Sequence, residues 1–138
     1  MTPRRAIVIA ALAIVAGVGW LLLQPAGEKV TSGPPMVAVA VPDLTAYEIG
    51  GNTLFEANCA VCHGRNAAGQ DGVAPPLVHK IYEPNHHADE SFQIAVARGV
   101  RSHHWNFGNM PAIEGLSRDD VTRIVAYVRA LQRANGIN

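Results

Sequence analysis

The chain has only two cysteines, Cys59 and Cys62, set three positions apart with His63 directly after the second. C-x-x-C-H is the arrangement that attaches a haem c covalently. One helical turn presents both thiols to a porphyrin, and the neighbouring imidazole then points at its iron. A thiol–disulfide exchange pair would need a strand–helix–strand setting, and this sequence has no such pattern. A tetrahedral zinc site would need further ligands at fixed spacing, and there is no second cysteine pair. A disulfide closing so short a loop leaves His63 unexplained. The motif therefore implies one haem c, held through Cys59 and Cys62.

A covalently held macrocycle also suits the size of the domain. Residues 43–138 remain to fold in water once the apolar N-terminus is set aside, and a domain that small buries a modest core. With 6% aromatic residues, a core built partly from a prosthetic group makes physical sense. From Asp43 onward ten acidic residues face eight Lys and Arg. A nucleic-acid surface would need a clustered basic excess, so the expected partners are redox proteins met through a mixed-charge surface.

The first 42 residues read as targeting and tether. Ala6 to Leu23 carries no charge and follows Arg4 and Arg5. As a helix it would span about 27 Å, close to the ~30 Å hydrocarbon core of a bilayer. Trp20 near one end suits the interface, and the two arginines should stay on the cytoplasmic side. Residues 1–23 are thus expected to be a single-pass anchor in the inner (cytoplasmic) membrane. A cleaved signal peptide is the rival, but Gln24 stands where a small residue is wanted. Either reading places residues 43–138 on the periplasmic, outer side. Residues 24–42, rich in Pro and Gly, read as a semi-extended tether that could reach roughly 60 Å. The alternation from Val37 to Val41 could be a strand, but no second strand-like run exists to pair with it.

The rest reads as all-α. The motif helix should begin after Asp43 or Thr45, with Gly51 and Phe55 one turn apart on the face leading to Cys59. Ser117 can cap the last helix, with Asp120 completing a capping box and Asp119 favouring the positive end of its dipole. Val121, Ile124, Val125, Val128 and Leu131 form its apolar stripe, and Gly136 supplies the stop. The Gly51/Phe55 face can cover that stripe beside Tyr127. Arg118, Arg123, Arg129 and Arg133 read as a solvated face.

These residues resemble class I cytochromes c. The resemblance runs from about Tyr47 to Leu131 and rests on Gly51, Phe55 and Cys59 through Gly64, on Ala74-Pro75-Pro76-Leu77, on Asn109-Met110-Pro111 and on Tyr127 to Leu131. It implies a small helical domain wrapped around one covalent haem. It further implies that His63 is the proximal iron ligand and Met110 the distal one. By the same resemblance the Pro75 carbonyl accepts a hydrogen bond from the other nitrogen of His63, and Leu77 is an apolar wall residue. Two features depart from the general pattern: a Gly-rich loop from Gly64 to Ala74, and two His-His pairs between Val78 and Asn109.

Met110 has an independent case, because Met1 and Met36 fall in the leader and tether. Gly108 and Pro111 around it specify an extended approach. The rival ligands are His79, His86, His87, His103 and His104. Of these, His86 and His87 read as solvated, while His103 and His104 could line the pocket with Arg101 or Trp105. Phe107 and Ile113 read as apolar packing. Two axial ligands would leave no open iron position, hence no small-molecule substrate at the iron and a carrier rather than an enzyme. The alternatives are a haem c subunit of a larger membrane oxidoreductase, and a haem-based enzyme or gas sensor with a labile distal ligand.

Overall fold

Thr45 starts the first described helix, α1 (Ala46–Asn58). Its hydroxyl accepts from Glu48 N at 3.3 Å, while the Glu48 carboxylate takes the Thr45 N–H at 2.8 Å. This reciprocal capping box satisfies two donors that the helix itself cannot. The computed structural model describes residues 33–138. The expected anchor over residues 1–23, and the tether up to residue 32, lie outside the described residues. Among the described residues no helix is long and apolar enough to cross a membrane.

After α1 come a single turn α2 (Ala60–His63), 3-10 turns at Arg65–Ala67 and Lys80–Tyr82, α3 (Asp89–Arg98) and the long α4 (Arg118–Ala134). Only isolated bridges, Gln70 with Ala74 and Val100 with Met110, interrupt this helical inventory among the described residues. Ser117 caps α4 as its sequence suggests, accepting from Asp120 N at 3.1 Å. The stripe from Val121 to Leu131 is buried, and Phe55 and Tyr127 meet with ring centroids 5.6 Å apart. Helices α1 and α4 make the principal helix pair. Gly51 lets them meet: a Cβ there would lie 2.0 Å from the Arg123 carbonyl oxygen.

Two expectations need correction. Arg118, Arg123 and Arg133 are solvated, but Arg129 is only 7% exposed. Its guanidinium donates to the carbonyls of Tyr82 (2.7 Å) and His87 (2.5 Å), to Gln132 Oε1 (2.6 Å) and to Asp89 (2.8 Å). The loop between Tyr82 and Asp89 folds over this flank of α4, and its inward carbonyls need donors. The second correction concerns residues 33–42, which are extended as expected of a tether but docked on the domain. Met36 and Val37 both donate to Ala68 O, at 3.1 and 3.2 Å, and Val39 packs against the core. Asn135 brackets Ala40, accepting from its N–H (2.9 Å) and donating to its carbonyl (2.8 Å). A side-chain amide thus supplies the hydrogen-bond pair that a second strand would otherwise provide.

Candidate functional site

Cys59 closes α1, donating its N–H to Phe55 O at 2.7 Å, and its own carbonyl then accepts from Cys62 N (3.1 Å) and His63 N (2.9 Å). This tight turn puts Cys59, Cys62 and His63 on the wall of one cavity of about 620 Å³, a volume ordinary for a cofactor site. Burial pushes the Cys59 thiol up to about 11, with Cys62 and Glu56 adding to the shift. A disulfide-exchange cysteine needs the opposite, a thiolate stabilised near neutral pH. Cys59 is therefore poorly suited to be the attacking thiol of a redox pair.

His63 Nδ1 lies 2.9 Å from the Pro75 carbonyl oxygen. A carbonyl can only accept, so Nδ1 carries the proton and Nε2 keeps a lone pair for a metal. Burial lowers the His63 pKa, and the Pro75 contact opposes that shift without cancelling it. The ring is accordingly held neutral, in the form that ligates metals.

Gln70 holds the motif from behind, and nothing in the sequence reading singled it out. Its Nε2 donates to three successive carbonyls, Ala60 (3.2 Å), Val61 (2.8 Å) and Cys62 (3.0 Å). Its Oε1 accepts from Gly33 N at 3.2 Å. The three carbonyls belong to a one-turn helix in which Ala60 O also accepts from Gly64 N at 3.0 Å, while the Val61 and Cys62 carbonyls have passed the last turn and need an outside donor. The Gly-rich loop that seemed a departure is the segment that returns Gln70 under the turn. Leu77 also reaches the cavity wall, pinned by Leu77 N to Ala67 O (2.9 Å) and by Gln132 Nε2 to Leu77 O (2.8 Å).

Met110 enters the same cavity from a separate loop. Its N–H and carbonyl pair with Val100 at 3.0 and 2.9 Å, closing the loop between them. Gly99 makes room: its φ is +72°, and a Cβ there would stand 2.5 Å from Met110 O. Within the loop Trp105 stacks on Phe107, with centroids 5.8 Å apart.

The walls fit a haem on two counts. Val61, Val73 and Ile94 are exposed apolar residues that all face this cavity, as a large flat hydrophobic group requires. Trp105 Nε1 is buried on its lining and makes no hydrogen bond of normal geometry, only a weak approach to the Tyr82 hydroxyl, which leaves it a donor suited to an acidic substituent of the macrocycle. Tyr82 lies on the same lining, its hydroxyl pKa raised by burial, with the Trp105 indole opposing. Among the rival histidines, His87, His103 and His104 reach the lining, whereas His79 and His86 do not. His79 instead accepts from Ile81 N at 3.2 Å, capping a 3-10 turn.

None of the curated proteins compared with the chain matches it. A family model described as Cytochrome c matches residues 50–132. That stretch contains the thiol pair, His63, Pro75, Leu77 and Met110, and it covers more than half of the sequence. By this match the chain belongs to the cytochrome c family.

Proposed function

We propose that this chain is a one-electron carrier with a six-coordinate haem c, working between redox proteins at the outer face of a cytoplasmic membrane. Membership in the cytochrome c family implies covalent haem and electron transfer; the ligand set and the setting go further. Bound through Cys59 and Cys62, the haem supplies a ferric/ferrous couple. The observation that carries the reading is that a neutral, carbonyl-held His63 and the thioether of Met110 reach one apolar cavity from two separate segments.

His63, through Nε2, and Met110, through Sδ, are the residues that would hold the haem iron. Met36 is the only other methionine among the described residues and does not line the cavity. Cys62 and Val61 are exposed, so this side of the site meets partners through a small transient contact. The uncharged run Ala6 to Leu23 behind Arg4 and Arg5 supports a membrane anchor, which confines the carrier near its donor and acceptor.

The test is a set of absorption spectra of the haem-loaded protein, wild type beside Met110→Ala. The wild type should show a methionine-to-iron charge-transfer band when ferric and take up carbon monoxide poorly when ferrous. Met110→Ala should keep covalent haem but bind external ligands readily. Rapid carbon monoxide binding by the wild type would favour a sensor or enzyme, and an unchanged ferric spectrum in the variant would remove Met110 from the iron.

A further inference from the structure

Four imidazoles from two separate segments meet at the rim of the haem cavity. His86 and His87 stand in the loop before α3, and His103 and His104 in the loop that Val100 and Met110 close. The rings of His86 and His104 are 5.4 Å apart between centroids, as are those of His87 and His104, and His86 and His87 are 4.8 Å apart. One ring nitrogen from each of these three residues lies within 4.8 Å of the others. Ligands about 2.0–2.1 Å from a tetrahedral zinc stand roughly 3.4 Å from one another. Side-chain rotation alone can close that gap, since His86 and His104 are exposed and His87 is half-buried.

The loops beneath the rings are already fixed. His86 N and His87 N both donate to Glu83 O, at 3.0 and 2.8 Å, and buried Arg129 grips the carbonyls of Tyr82 and His87 from below. His87 Nδ1 lies 2.6 Å from Ile81 O. That carbonyl must accept, so the proton is on Nδ1 and Nε2 is the ligand atom, with its ring oriented from behind as metal-bound histidines are. His103 packs beside His104 with its ring tilted, centroids 4.2 Å apart, and lies 2.9 Å from Arg101 O through its own Nδ1.

The neighbouring imidazoles disfavour protonating His104. The His104 pKa is lowered, first by desolvation and then by His103, His87 and His86. His104 is thereby biased toward the neutral form that ligates metals.

We propose that His86, His87 and His104 bind one divalent first-row transition-metal ion, separate from the haem, with water or His103 in the remaining position. An all-imidazole set suits Cu(II), Ni(II) and Zn(II), with Cu(II) bound most tightly. The ion sits at the cavity mouth, because His87 and His104 also line the cavity. This inference rests on the histidine geometry and on the proposed function, in which Met110 and not His87 or His104 holds the haem iron on its distal side.

The test uses full-length, haem-loaded protein without a polyhistidine tag, titrated with Cu(II) or Zn(II) against a competing chelator. The wild type should bind one ion, with nitrogen hyperfine structure in the Cu(II) electron paramagnetic resonance spectrum and no change in haem absorption. His86→Ala, and His104→Ala from the other segment, should each weaken binding by at least the 10- to 100-fold typical of losing even a group behind a ligand. The exposed His86 variant should keep the wild-type haem spectrum. The proposal is overturned if the wild type binds no ion, if the variants bind as tightly as the wild type, or if the added ion alters the haem spectrum in place of filling a separate site.

Discussion

The backbone of Gly51 lies against the carbonyl of Arg123 so closely that no side chain fits between them: a Cβ would stand 2.0 Å from that oxygen. This contact sets the spacing of α1 and α4, and with it the depth at which α1 delivers Cys59 to the cavity. Gly51→Ala must therefore push apart the two helices that carry Phe55 and Tyr127. Overpacking of this kind costs about 1–3 kcal/mol, and backbone on the receiving side places this case at the upper end or beyond. Denaturant unfolding of the haem-loaded variant should show a midpoint well below wild type, and an unchanged midpoint would mean that the helices separate without cost.

Arg129 makes a second prediction. Asp89 is largely exposed, so that ion pair contributes little; the buried bonds to the Tyr82 and His87 carbonyls contribute more. Arg129→Lys keeps the charge but loses the planar fork that reaches both carbonyls, at a cost of about 2–3 kcal/mol. Amide hydrogen exchange at His86 and His87 should speed up in this variant. Wild-type protection there would show that the loop is held by something else.

Much of this architecture was legible locally. Thr45 with Glu48 and Ser117 with Asp120 announce their helices because capping is decided within four residues. The stripe from Val121 to Leu131 and the C-x-x-C-H turn are equally local. The connections across the chain were not. Gln70 stands in a loop where a glutamine is usually solvated, and only the folded turn shows three carbonyls converging on it. Arg129 occupies a helix position that reads as polar until the loop from Tyr82 to Asp89 covers it. Residues 33–42 look like linker by composition, yet Asn135, 95 positions away from Ala40, ties them down. Each His-His pair is visible alone, but their meeting depends on how two loops close.

Stability at low pH should depend on Glu48. Its pKa is lowered, chiefly by the hydrogen bond from the Thr45 backbone, then by the Thr45 side chain and, in smaller part, by Arg133, with burial opposing. A carboxylate with a depressed folded pKa adds stability that is complete above its unfolded value, about 4.3, and is lost as pH falls through the folded one. Glu48→Gln should therefore be less stable than wild type at neutral pH, and the difference should shrink on acidification through that window. A gap between the two proteins that stays constant from pH 6 to pH 2 would contradict the role given to this carboxylate.

The most direct measurement is the intact mass of the mature polypeptide after acid–acetone extraction, which strips haem that is not covalently attached. The protein should stay coloured and carry the added mass of one haem, and replacing both Cys59 and Cys62 by Ala should abolish that addition. A colourless chain with the mass of the bare polypeptide, recovered after correct export and maturation, would contradict the account.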